Sequence, residues 1–256
     1  MDKFVLLTTL YNEKNQQRIQ EYINCIESNL NNSMISDICI LYEGSPDDNM
    51  IHILDKYNII IEYINERPTY KTFFDYSSNN FSGRKIIITN ADIYYDYDKG
   101  LNLIKDIDLS DKFLVLTRYN KFKQLANPYQ FVGIEIDHPI HGKLKSMHMS
   151  GISIDSWIYM APVIPDFNPE VHIGVVFCDS MINSCLMGSN KYKVYNPCKD
   201  VISIHDHSGW NPVKYNTVRM KNGEIVSQHT WRSMCINRGY GMACVPFCHV
   251  SDIPRN

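Results

Sequence analysis

The segment KIIITNADIYYD, residues 85–96, decides the fold that we predict for this chain. Its first half consists mainly of β-branched apolar residues, which are typical of a strand buried on both faces. The run ends on Asn90, Ala91 and Asp92. In open α/β sheets, ligands bind beyond the carboxyl ends of the strands. A carboxylate in that position therefore predicts a site for a divalent cation, which in turn neutralises phosphate oxygens.

Strands and helices alternate over the first half of the chain. Near-continuous apolar strands separated by helical periodicity predict an α/β fold with a mainly parallel sheet flanked by helices. The predicted strands span residues 4–10, 38–42, 59–64, 85–90 and 112–119, and the predicted helices span 15–30, 50–57 and 100–106.

The second half is less regular. Residues 125–150 lack periodicity, which predicts a long loop. We expect the histidines in this loop to be exposed and assign them no role; they are His138, His141 and His148. A strand over 151–162 follows, then a helix for which Asp179 is a natural N-cap, then a strand that ends at His205 and His207.

Composition excludes several classes of protein. The net charge of −3, without a basic stripe, argues against nucleic acid as a partner. No apolar stretch approaches the roughly 20 residues of a membrane span, and the N-terminus does not resemble a signal peptide. The eight cysteines lack CxxC spacing, so we expect reduced thiols and a cytoplasmic location. Cys244, Cys248 and His249 are close in sequence but lack a fourth zinc ligand.

The segment IIITNADI, residues 86–93, resembles the DxD motif of nucleotide-sugar glycosyltransferases of the GT-A fold, in which the motif follows a buried apolar strand. The resemblance places Asp92 at the second Asp, which in the family ligates the metal that holds the sugar-nucleotide diphosphate. Asn90 stands where the family usually has its first Asp, and it keeps an acceptor oxygen but no charge. The cofactor that this implies is Mn²⁺ or Mg²⁺.

Two further segments are similar to parts of these enzymes. Residues 8–30 resemble their opening strand and helix, where the end of the strand contacts the nucleoside; the corresponding candidates are Tyr11, Asn12 and Glu13. Residues 65–70 and 73–76 resemble the segment before the DxD strand, and Arg67 there is a candidate partner for phosphate. The alternative for Arg67 is a surface ion pair.

The segment GISIDSWIYMAP, residues 151–162, resembles the acceptor-side strand of several of these families. The resemblance implies that Asp155 binds donor hydroxyl groups and that Trp157 stacks on a sugar ring. Strand alternation places Ser153, Asp155 and Trp157 on one face, which suits a sugar site. The alternative is that Trp157 belongs to the core.

In inverting enzymes of this fold, an acidic residue at the start of a helix accepts the proton of the acceptor, and Asp179 has that position. A helix N-terminus lowers the pKa of a carboxyl group, so burial or substrate contact has to offset this effect. The alternative is that Asp179 only caps the helix. Many metal-dependent members add a late histidine, which points to His205, slightly preferred, and His207 as metal ligands.

The resemblance implies a metal-dependent, inverting glycosyltransferase that moves a sugar from a nucleotide sugar, with UDP as the expected nucleotide, to a hydroxyl of a glycan or other acceptor. A nucleotidyltransferase is an alternative, although residues 11–18 lack the glycine-rich loop that such enzymes usually have after the first strand. A non-catalytic module that binds sugar nucleotides is another alternative, and Asn90 favours it.

The predicted domain organisation is a single GT-A-like domain with an extension. The domain spans residues 1–210, with a nucleotide-binding half at 1–120 and an acceptor and metal half at 121–210. The extension spans 211–256, and the sequence leaves open whether it contributes to the acceptor site or to a homodimer contact.

Overall fold

The computed structural model of the protein describes residues 3–97, 99–121, 133–146, 151–207, 217–219, 225–237, 239 and 241–255. These residues form fourteen strands and five α-helices. The strands are β1 (Phe4–Tyr11), β2 (Ile35–Glu43), β3 (Ile60–Ile64), β4 (Lys85–Thr89), β5 (Ile93–Tyr95), β6 (Lys112–Thr117), β7 (Tyr119–Lys121), β8 (Glu135–His138), β9 (Gly142–Ser146), β10 (Ile154–Met160), β11 (Lys193–Tyr195), β12 (Ser203–His205), β13 (Thr217–Arg219) and β14 (Ile225–Ser227). The helices are α1 (Gln16–Leu30), α2 (Asn49–Leu54), α3 (Tyr70–Asn80), α4 (Cys178–Met187) and α5 (Gln228–Asn237).

The main sheet has seven strands in the order β11-β6-β10-β4-β1-β2-β3. Strands β4, β1, β2 and β3 are parallel neighbours, and β11 is parallel to β6. Strand β10 is antiparallel to both β4 and β6, between which it lies. The sheet is therefore mixed rather than purely parallel, while the prediction of an α/β fold with a helix-flanked sheet is confirmed.

Helices cover both faces of this sheet. Successive residues of β4 point to opposite faces, so Ile87 packs in the cluster that includes Ile26 of α1. Ile88 packs in the second cluster, with Phe74 of α3 and Ile182 of α4. Each fully buried side chain of this kind stabilises the fold by about 1.5–3 kcal/mol relative to an exposed one. Burial on both faces explains why the central strands are continuous apolar runs.

A second sheet extends from the carboxyl edge of the first. It has five strands in the order β5-β12-β7-β9-β8. Strand β5 follows β4 after the turn Asn90–Asp92, and β7 follows β6 after Arg118. Strand β12 is antiparallel to β5 and parallel to β7, and this pairing brings His205 to the same edge as the turn.

The predicted loop over 125–150 contains strands β8 and β9 in its described part. His138 is 6% exposed, and its Nε2 lies 2.6 Å from Oδ2 of Asp96. Its Nδ1 accepts two backbone N–H groups of the following turn, so the imidazole closes the hairpin. The expected exposure is therefore wrong for His138. His141 is partly buried, and His148 lies outside the described residues.

Two helices differ from the prediction. Helix α3 was not predicted, because its serines and asparagines are weak helix formers. Thr69 caps it through a reciprocal capping box. The predicted helix over 100–106 is only a 3₁₀ turn at Leu101–Leu103. A spacing of three suits 3₁₀ turns better than an α-helix, and it is the spacing of the buried residues Leu101, Ile104 and Ile107.

Part of the predicted extension packs on the main domain. Val245 and Ile253 are buried, one in each of the two core clusters. The backbone N–H of Cys248 donates to the carbonyl oxygen of Asn196 at 2.9 Å. All eight cysteines are free thiols. Among the described helices, none combines the length and apolarity that a membrane span requires.

Asn29 of α1 forms hydrogen bonds with backbone groups of β5 on the edge that does not pair with β12. Its Nδ2 donates to the carbonyl oxygen of Ile93 at 2.9 Å, and its Oδ1 accepts the N–H of Tyr95 at 3.3 Å.

We predict that Asn29→Ala lowers the free energy of unfolding by about 2–4 kcal/mol, because two buried backbone groups lose their partner. Urea unfolding measures this, with the exposed neighbour Ser28→Ala as a control that changes by less than about 0.5 kcal/mol. Equal effects of the two substitutions would contradict the role of Asn29.

Candidate functional site

A cavity of about 600 Å³ opens at the carboxyl ends of β1, β4 and β6. Small-molecule sites usually have volumes of about 300–1,000 Å³, so the cavity is large enough for a ligand such as a nucleotide. The residues that line it are Thr9, Tyr11, Arg18, Tyr22, Glu43, Arg67, Asn90, Ala91, Asp92, Arg118, Ser153, Ile173, Gly174 and His205.

Asp92 lies in the turn after β4 and is only 8% exposed. Its Oδ2 accepts a hydrogen bond from Nη2 of Arg18 at 2.9 Å and lies 3.2 Å from Nε2 of His205. Burial disfavours the charged carboxylate, but the His205 imidazole and the Arg18 guanidinium outweigh it and hold the pKa of Asp92 well below its usual range. Asp92 is therefore an ionised carboxylate at neutral pH.

His205 and His207 stack at the end of β12, with ring centroids 5.1 Å apart. Nδ1 of His205 lies 2.9 Å from Oδ1 of Asn120, while its Nε2 faces Asp92. Burial and the charge of Arg118 lower the pKa of His205, so the ring is neutral and has one N–H. With its proton on Nε2, the ring donates to Asp92. With the proton on Nδ1, which then donates to Asn120, the lone pair of Nε2 is instead available to a metal ion.

The side chains of Asp92, His205 and His207 fit a divalent cation. Each offers one ligand atom, and these atoms lie within 4.8 Å of one another. No other group of three acidic, histidine or cysteine side chains with this spacing occurs in the described part of the chain. One carboxylate oxygen and two neutral imidazole nitrogens suit Mn²⁺ better than Mg²⁺, which prefers oxygen ligands. Cys244, by contrast, is exposed, and His249 pairs with Asp200.

Arg18, in the first turn of α1, contacts two of these three side chains. Besides Asp92, its guanidinium contacts Nδ1 of His207 through Nη1 at 2.5 Å. Nη1 also contacts Glu21, and Nη2 donates to the hydroxyl of Tyr22 at 3.1 Å. A permanent positive charge therefore lies directly against the candidate metal ligands.

Asn90 is directed at Asp155 rather than at the metal ligands. Its Nδ2 donates to Oδ1 of Asp155 at 2.7 Å, and Nη1 of Arg118 donates to Oδ2 of the same carboxylate. Burial raises the pKa of Asp155, and Arg118 offsets part of that effect. An aspartate at position 90 would place two carboxylates side by side, which disfavours ionisation of both. This contact gives a physical reason for an asparagine at this position of the motif.

A β-bulge determines where β10 points its side chains. Ile154 pairs with Thr117 and Ser156 with Leu116, so Asp155 is the extra residue on β10. The predicted shared face of Asp155 and Trp157 is therefore lost. Trp157 is 1% exposed, packs edge-on against Tyr70 and does not line the cavity, so the structure places it in the core and not where it would stack on a sugar.

Asp179 is not the helix N-cap that the sequence predicted. The N-cap of α4 is Phe177, in the left-handed conformation with φ 65°, and Asp179 is the second residue of the helix. Its Oδ2 accepts the backbone N–H of Ile154 at 3.3 Å. Burial raises the pKa of Asp179, which is the direction a general base requires. Asp179 does not line the cavity, whereas Ser153, next to its partner Ile154, does.

The four residues predicted to contact the nucleoside or its phosphates do not all line the cavity. Tyr11 lines the cavity, is 41% exposed, and donates its hydroxyl to Glu13 at 2.7 Å. Asn12 instead donates to Asp48, and Glu13 accepts the backbone N–H groups that precede α1. Arg67 lines the cavity, and its Nε lies 3.9 Å from Glu43. Tyr11 and Arg67 are therefore the two of these four that face the cavity directly.

Three residues at the site were not predicted from the sequence: Arg18, Arg118 and Asn120. Arg118 directly follows the apolar run of β6, which is the same signal that identified Asn90 and Asp92. Asn120 lies two residues further on, beside His205. Arg18 has no comparable signal, because only the packing of α1 shows which of its polar residues points to the site.

Comparisons with known proteins support the fold. No family model and no curated protein matches the sequence. Among solved structures, the chain is similar to GalNAc-T7 with UDP, GalNAc and Mn²⁺, with 10% identity and a TM-score of 0.51 over 82% of this chain and 45% of that chain. Two weaker matches are S. aureus TarS 1-349 with UDP-GlcNAc, and the mannosyltransferase PcManGT from Pyrobaculum calidifontis with GDP-Man and Mn²⁺.

The TarS match has 14% identity and a TM-score of 0.35 over 57% of this chain and 45% of that chain. The PcManGT match has 14% identity and a TM-score of 0.43 over 90% and 59%. The chain thus spans less than half the length of GalNAc-T7 and of TarS 1-349. Of these three, only the match to GalNAc-T7 has a TM-score above 0.5, and at 10% identity it shows a common fold alone. That fold agrees with the GT-A-like fold implied by the sequence.

The ion pair of Arg118 with Asp155 gives a testable pH dependence. We predict that Arg118→Met lowers the free energy of unfolding at pH 7 by about 1–3 kcal/mol relative to the wild type, because Asp155 loses its charged partner. Without Arg118, the pKa of Asp155 rises further above its unfolded value. The folded state then gains a proton as the pH falls, so the deficit should shrink towards pH 5.

Urea unfolding at pH 7 and pH 5 measures this difference, with Arg118→Lys as the variant that keeps the charge. A deficit that is constant or larger at pH 5 would contradict the assignment of the effect to Asp155.

Proposed function

We propose that the protein is a metal-dependent glycosyltransferase that moves a sugar from a nucleotide sugar to a hydroxyl acceptor. The observation that supports this most directly is the convergence of Asp92, His205 and His207 beside a cavity lined by arginines. When bound there, a divalent cation would supply positive charge that stabilises the departing diphosphate. The common fold with GalNAc-T7, whose structure contains UDP and Mn²⁺, supports UDP and Mn²⁺ as the first ligands to test.

The remaining cavity residues suit the other parts of a sugar nucleotide. Tyr11, at the end of β1, offers an aromatic surface to the nucleoside. Arg67 and Arg118 offer guanidinium groups, whose forked donors match phosphate oxygens. Asp155 does not itself line the cavity, but Asn90 and Arg118, which do, hold its carboxylate. We assign Asp155 to hydroxyl groups of the donor sugar.

Asp179 is the residue that we assign as general base on the acceptor side. In an inverting transfer, its carboxylate takes the proton of the acceptor hydroxyl as the acceptor oxygen bonds to the anomeric carbon. The bond from that carbon to the diphosphate oxygen breaks, and the nucleoside diphosphate leaves with the electron pair. Because burial raises the pKa of Asp179, the carboxylate is a stronger base than an exposed aspartate.

A thermal-shift screen of nucleotide sugars with and without Mn²⁺, followed by product analysis with the stabilising donor, tests the function. We predict that UDP or a UDP-sugar raises the melting temperature only when Mn²⁺ is present, because the cation holds the diphosphate.

Asp92→Ala should weaken Mn²⁺-dependent UDP binding at least about 10-fold, since even loss of a group behind a metal ligand costs that much. The exposed carboxylate variant Asp75→Ala serves as the control.

Asp92→Ala should remain folded, as circular dichroism would show. UDP affinity that is the same with and without Mn²⁺, in the wild type and in Asp92→Ala, would contradict the metal-dependent function.

The role of Asp179 has its own test. We predict that Asp179→Asn lowers kcat by about 10²-fold or more with little change in donor affinity, because the amide cannot accept the proton. In the wild type, kcat should fall as the pH drops below the raised pKa of Asp179, since protonation removes the base. Turnover of Asp179→Asn close to that of the wild type would remove Asp179 from this role.

A further inference from the structure

The guanidinium of Arg18 contacts the same side chains that a metal ion would use. Nη2 of Arg18 donates to Oδ2 of Asp92 at 2.9 Å, and Nη1 contacts Nδ1 of His207. Arginine has donors only, so Nδ1 of His207 must accept this bond with its lone pair. Two of the three candidate metal ligands are thus already bonded to a cation that belongs to the chain.

Helix α1 holds Arg18 in this position. Asn15, the N-cap, accepts the backbone N–H of Arg18, so the residue lies close to the start of the helix. Glu21 and Tyr22 lie one turn further on and contact the guanidinium. The Arg18 side chain is 21% exposed and faces the cavity, so the same group also borders the space in which we place the diphosphate.

A divalent cation and Arg18 in its present position repel each other. Both are positively charged, and at contact distance in a partly buried site this repulsion is screened far less than in water. Displaced from Asp92 and His207, Arg18 keeps Glu21 as a partner on its own helix. A phosphate group in the cavity offers the guanidinium a second, stronger partner with matching geometry.

We propose that Arg18 is an internal counter-ion that competes with the divalent cation for Asp92 and His207 and moves to the diphosphate when both ligands bind. The inference rests on the proposed metal and nucleotide site and adds a coupling between the two ligands. The cation alone binds weakly because it displaces Arg18, and the nucleoside diphosphate strengthens cation binding because it accepts Arg18. By linkage, the cation strengthens nucleotide binding by the same factor.

The experiment measures the dissociation constant of Mn²⁺ by electron paramagnetic resonance of the free ion, with and without UDP. The proteins are the wild type, Arg18→Met, Arg18→Gln and Asp92→Ala. Arg84→Met is the matched control, because Arg84 pairs at the surface with Asp37. Circular dichroism checks that each variant is folded, and Arg18→Gln keeps polar donors if Arg18→Met does not fold.

We predict that neutral substitution of Arg18 tightens the binding of Mn²⁺ alone by about 10-fold or more, because a like charge leaves the site. The factor by which UDP improves Mn²⁺ affinity should shrink in the same variants. Arg84→Met should match the wild type, and Asp92→Ala should lose Mn²⁺ binding.

Two results would overturn the proposal, and they are distinguishable. If Mn²⁺ binds the wild type and is lost in Asp92→Ala, but Arg18 variants bind it equally or more weakly, then Arg18 only positions Asp92 and the proposed function stands. If no variant binds Mn²⁺ with or without UDP, the metal site itself is wrong, and the proposed function fails with it.

Discussion

The buried, ionised carboxylate of Asp92 is the constraint on which the site depends. A carboxylate removed from water is costly unless positive charge and hydrogen bonds compensate it. Here Arg18 of α1 and His205 of β12 provide that compensation, and they come from chain segments far apart in sequence. Asp92 therefore ties the first helix and the second sheet to the end of β4, and the same oxygen that stabilises this arrangement is the proposed metal ligand.

The second sheet positions the remaining groups around that carboxylate. Because β5 and β7 continue from β4 and β6, the short connections that contain Asp92 and Arg118 are anchored at both ends by paired strands. Strand β12 lies between them and places His205 opposite Asp92, while Asn120 of β7 orients the ring from the other side. Short connections anchored on paired strands keep the geometry of a site better than long loops do.

The sequence was informative where a residue followed a continuous apolar strand. That signal identified the central strands, Asp92 and the two late histidines, because burial on both faces and the end of a strand are local properties. Tertiary effects decided the rest. The bulge at Asp155 changes the direction of the side chains along β10 and places Trp157 in the core. Helix α4 begins at Cys178, after Phe177 in the left-handed conformation, so Asp179 is not its N-cap. The contact of Arg18 depends on how α1 packs, which periodicity does not reveal.

We propose that Asp92, His205 and His207 hold a cation that contacts a diphosphate in the adjoining cavity. The most direct measurement is anomalous diffraction at the manganese edge from a crystal grown with UDP and Mn²⁺. We predict an anomalous peak coordinated by these three side chains, with the diphosphate of UDP bonded to it. An anomalous peak elsewhere, or UDP bound in the cavity with no manganese at these residues, would contradict it.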